Sequence, residues 1–112
     1  MRTPFENIRI IGETTKLSEL NAAYNETMIM AAHLSFDGVS SRHEVEQTLN
    51  HLTNYNIVRI ANKAATDFAL SGNTDRSKLV EIGLCRHALK EHEDVNIEQE
   101  LLDNLCEQLG IN

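Results

Sequence analysis

Residues 41–70 read SRHEVEQTLNHLTNYNIVRIANKAATDFAL, with no glycine or proline until Gly72. The stretch opens on Ser41-Arg42-His43-Glu44, a capping box. In it the serine hydroxyl accepts from the Glu44 backbone N–H, and the glutamate reaches back to the serine N–H. Together these signals predict one helix of about 29 residues, on the order of 43 Å long at 1.5 Å per residue. Its apolar face is broken. Val45, Leu49 and Leu52 form one stripe, and Ile57, Ile60, Ala61, Ala64 and Phe68 form another, rotated by roughly 100°. Two stripes require two packing partners: the helix's own hairpin for one, the C-terminal helices or another subunit for the other. Between them lies a polar waist, Asn50-His51 and Thr53-Asn54-Tyr55-Asn56.

Working outward, an earlier helix is predicted after Thr14 or Thr15, either of which can cap it. Leu17, Leu20, Tyr24, Met28, Ala31 and Leu34 recur every three or four residues. It ends before the Asp37-Gly38 turn signal. Beyond the long helix, Ser71-Gly72-Asn73 is a break, and Thr74 or Asp75 caps a helix to about His92. Leu79, Val80, Ile82, Leu84, Cys85, Ala88 and Leu89 spread around it, as on a central helix. Gly83 in its middle suggests a close helix crossing. Asn96, with Gln99 at the box position, caps the last helix, whose stripe is Ile97, Leu101, Leu102, Leu105 and Leu109. Gly110 and Ile111 then form a Schellman ending, with Ile111 turned toward Cys106. Residues 1–13 are the odd segment. Ile8 and Ile10 alternate as in a short strand, but a lone strand leaves its backbone unpaired. An extended N-terminal arm anchored by Ile8, Ile10 and Ile11 is the preferred reading.

The predicted architecture is therefore all-α: a single domain over residues 1–112, with four helices in two helical hairpins, a long second helix and an N-terminal arm. Composition agrees. A chain of 112 residues with 41% hydrophobic residues can bury a core. One proline and 4% aromatics favour helix packing by aliphatic side chains. The rotated stripes also predict self-association, with a dimer as the simplest closed form.

Function is written less plainly. The net charge of −7 argues against binding a phosphate backbone, so no nucleic-acid partner is expected. No apolar run approaches a membrane span, and the first residues lack a signal-peptide pattern. Cys85 and Cys106 have no metal or disulfide spacing and read as small core residues. These features predict a cytoplasmic protein without a cofactor. Glycine-rich phosphate loops and catalytic serine motifs are absent.

Two polar groups stand out. Tyr55, Arg59 and Asn62 fall at i, i+4 and i+7, with Lys63 beside them. Such a strip could stack, grip and read a planar anion, as in an oligomeric nucleotide-sequestering protein. The plainer reading is a solvated face. His87 and Glu91, followed by His92, are the best metal-like cluster and would serve a metal-dependent enzyme. The plainer reading there is a helix C-terminus whose dipole favours histidine. The first-ranked expectation is a non-enzymatic small acidic binding module. It would regulate or inhibit a partner by protein–protein contact, in the manner of small accessory proteins of phages and bacteria.

Overall fold

A computed structural model of the chain describes residues 4–33, 42–92 and 97–112. The described residues form five helices: α1 Pro4–Glu13, α2 Leu17–His33, α3 Arg42–Leu70, α4 Arg76–His92 and α5 Ile97–Leu109. The fold is all-α. No helix among the described residues is long and apolar enough to cross a membrane. Contacts divide the chain into two compact units, Met1–Asn56 and Ile57–Asn112, and the boundary falls within α3.

The first unit corrects the expected N-terminal arm or strand. Residues 4–13 are helical, which brings the count to five helices. Proline costs nothing at the first helical position, where its missing N–H has no intrahelical partner anyway. Glu6 in the first turn suits the positive end of the dipole. Among the described side chains of α1 the buried ones are Asn7 and Ile11, one turn apart, while Ile8 is exposed. An asparagine in the buried pair hides the helical period from a search for apolar residues.

α1 packs against α2. The buried face of α2 is Leu20, Ala23 and Thr27, and the Thr27 hydroxyl donates to the Ala23 carbonyl at 2.7 Å. The Thr14 hydroxyl accepts from the Lys16 N–H at 3.2 Å, so this threonine holds the turn into α2. The first half of α3 closes the unit. Leu52 faces Gly12, where an added Cβ would lie 3.6 Å from it. The Tyr24 hydroxyl donates to Asn50 Oδ1 at 2.6 Å.

The second unit is built on the other stripe of α3. Ile57, Ile60, Ala61, Ala64 and Phe68 are all buried. Ala64 meets Ile82 of α4 and Cys106 of α5 in one cluster, with Leu105, Leu109 and Ile111 around it. Each stripe therefore has its partners within the chain, and the rotation between them needs no second copy.

Three helix termini in this unit follow the predicted chemistry. Gly72 (φ 72°) ends α3, with Gly72 N–H donating to Ala69 and Asn73 N–H to Phe68. Asp75 caps α4, accepting from the Ser77 N–H at 3.2 Å. Gly110 (φ 72°) ends α5, and the Ile111 N–H donates to the Cys106 carbonyl at 2.8 Å. This is the Schellman geometry. Gly83 faces Ile111: a Cβ there would sit 3.8 Å from Ile111 Cγ2. That is ordinary contact, so space alone does not demand the glycine. The Ser41–Glu44 box, the Asp37-Gly38 turn and the Asn96 cap rest on parts outside the described residues.

Candidate functional site

The feature that invites a ligand lies in the second unit. Val58 and Asn62, one turn apart on α3, form one wall of an open groove of about 320 Å³. Leu101, Leu102, Asn104, Leu105 and Gln108 of α5 line the rest of it. The helical period explains the arrangement. Leu102 turns into the core and is buried, whereas Leu101, one position earlier, stays 52% exposed. Ile97, one turn before Leu101, is 73% exposed. The wide leucine stripe of α5 thus serves two surfaces, a core side and a groove side.

Among the described residues no ionisable side chain lines this groove. It holds leucine, valine and carboxamides only. Carboxamides can orient a partner by hydrogen bonding but do not exchange protons near neutral pH.

The other sequence-derived candidates sit as follows. Tyr55 belongs to the first unit and is 68% exposed. Arg59, Asn62 and Lys63 belong to the second and are exposed on α3. Asn62 is the member that lines the groove. The Lys63 ammonium is engaged by Asp67 at 3.3 Å, one turn on, which lessens its availability for an anion. His87 Nε2 lies 3.1 Å from Glu91 Oε1, both well exposed, as an i, i+4 surface pair. Among the described residues no three His, Cys, Asp or Glu side chains come together in a way that could hold a metal ion.

Both thiols are buried and free. Burial, reinforced by Glu81 and by Cys106, pushes the Cys85 thiol up to about 12. Burial also raises Cys106, with Arg86 opposing. A thiol kept protonated at neutral pH is a poor nucleophile and metal ligand, so these side chains fill space.

The polar waist of α3 is not the solvated stretch its residue types suggest. Thr53, Asn54 and Asn56 are buried. Asn56 Nδ2 donates to the Ile11 carbonyl at 2.7 Å and to the Thr14 carbonyl at 3.0 Å. It thereby satisfies carbonyls at the C-terminal end of α1 that no helical N–H reaches. Asn7 is fully buried with both amide atoms unpaired, and the Thr53 hydroxyl is also unpaired.

The described residues thus form an all-α fold with a groove lined by aliphatic and carboxamide side chains of α3 and α5. Comparison with family models, with curated proteins and with solved structures gives no match.

Proposed function

We propose that this chain is a non-enzymatic, acidic binding module that acts by protein–protein contact through the groove between α3 and α5. The observation that carries the reading is the groove's lining. It combines four aliphatic side chains with three carboxamides and, among the described residues, no ionisable group. Leu101 and Ile97, 52% and 73% exposed along one helix face, are costly to leave in water; for comparison, a fully buried leucine or isoleucine gains roughly 1.5–3 kcal/mol relative to an exposed one. Such a surface needs no reactive group: a regulator or inhibitor needs only to occupy its partner. The two buried, protonated thiols suit a reducing cytoplasm.

Co-purification from the host cell tests this. The wild-type chain should retain a partner that Leu101→Asp loses, with the helical circular dichroism of both unchanged. Retention of the same proteins by both would place the contact elsewhere.

A further inference from the structure

The free face of α5 has a second property besides its apolar residues. Ile97, Leu101, Asn104 and Gln108 follow a four–three–four spacing, the seam spacing of two helices packed side by side. Ile97, Asn104 and Gln108 are exposed, as is Leu101. Flanking that seam are Glu98, Glu100 and Glu107, and α5 carries no basic residue at all. Its fourth acid, Asp103, is engaged by Lys90 at 3.9 Å. Among the described residues no ion pair holds Glu98, Glu100 or Glu107.

Resting on the reading of the groove as a protein contact, we propose that its occupant is one amphipathic helix from a basic protein. Its apolar residues would be spaced four and three apart to meet Leu101 and Val58, and its Lys or Arg side chains would face Glu100 and Glu107. The seam from Ile97 to Gln108 is about 16 Å long at 1.5 Å per residue, so the occupant presents about three turns. Charge selects this partner over the others. A second copy would set α5 carboxylates against like charges, which destabilises a helix pair, and the whole chain carries −7. Of the four lysines and arginines a second copy could offer from α4, Lys78 is engaged at home by Asp67 and Glu81 and Lys90 by Asp103, which leaves Arg76 and Arg86, ten residues apart. Nucleic acid and anionic membrane surfaces are repelled by the same acids.

The test uses the full chain, labelled for backbone NMR, and three synthetic helices of equal length. One has leucine on the seam and lysine on the flanks. The second replaces the lysines by glutamate, and the third scrambles the first. The leucine–lysine helix should move the amides of Val58, Asn62, Leu101 and Asn104, and the scrambled one should not. Its affinity should fall about tenfold between low and high salt, because flank charges are exposed and screened. The pair Glu100→Lys with Glu107→Lys, both at exposed positions, should weaken it at least as much.

Equal binding of the glutamate helix, or no loss on the double charge reversal, would overturn the basic-helix assignment while leaving the groove a protein contact. Dilution-dependent shifts at Leu101 without peptide would overturn it in favour of a second copy. If no helix moves those amides and Leu101→Asp still retains every partner, both readings fall.

Discussion

Removing the Asn56 side chain should loosen α1 specifically. In Asn56→Ala two hydrogen bonds are lost, at 2.7 Å to Ile11 and 3.0 Å to Thr14. The Ile11 carbonyl is then left buried without a donor, which costs about 1–3 kcal/mol. The Thr14 carbonyl is only partly buried, so water can replace its donor and its loss is at most about 1 kcal/mol. Against this, Asn56 Oδ1 is itself buried and unpaired, and removing it returns about 1 kcal/mol. The net destabilisation is about 2 kcal/mol, confined to the first unit. Residue-resolved amide exchange is the assay, because it reports opening free energies segment by segment. Protection along α1 should fall roughly 30-fold, since about 1.4 kcal/mol is a factor of ten, while protection along α5 stays unchanged. Asn56→Asp sharpens the test. A carboxylate facing two carbonyls has no donor, so its folded-state pKa rises above the unfolded value of about 3.9. The folded state then binds the extra proton, and stability falls as pH rises through that raised pKa. Acid should therefore partly rescue Asn56→Asp but not Asn56→Ala. A loss in α1 protection of less than about threefold in Asn56→Ala, or identical pH behaviour of the two variants, would refute the capping role.

Three further substitutions follow from the same packing. Gly83→Ala should stabilise the second unit by about 0.5–1 kcal/mol in urea denaturation, since alanine is the better helix former and its Cβ meets Ile111 at an ordinary 3.8 Å. Asn7→Leu should be neutral or stabilising by thermal melting, because it removes two unpaired buried amide atoms. A loss above about 1 kcal/mol would mean that the amide is satisfied. The stability tied to Cys85 is fully present below its ordinary value of 9.0 and lost as pH rises toward about 12. Stability should thus decline above pH 9.0 by up to about 1.4 kcal/mol per pH unit, with a shallower decline in Cys85→Ala by chemical denaturation.

Much of the fold is legible because its boundaries are chemical. α3 ends where Gly72 takes a positive φ, and α5 ends on Gly110 with Ile111 folded back on the core. The rotation between the two stripes of α3 coincides with the boundary between the two compact units. That correspondence holds because a stripe records which neighbours a helix meets. α1 escapes the same reasoning, since its buried pair is Asn7 and Ile11, and apolar periodicity cannot register an asparagine. Asn56 escapes it too: a side chain that bonds a distant carbonyl leaves no local trace in sequence. The groove is hidden for the opposite reason. Ile97, Leu101, Leu102, Leu105 and Leu109 read as one core stripe, but the stripe is too wide for one neighbour. Only the packing decides that Leu102 goes inside and Leu101 remains outside. Similarly, α4 reads as apolar all round, whereas Val80 and Leu84 are exposed.

The groove as a site of protein contact is tested most directly by placing a photo-crosslinking residue at position 101 in the living host, with a second at the exposed Ala22 of α2 as control. The account predicts a discrete adduct with another protein from position 101 and none from position 22. No adduct from position 101, or the same adducts from both positions, would contradict it.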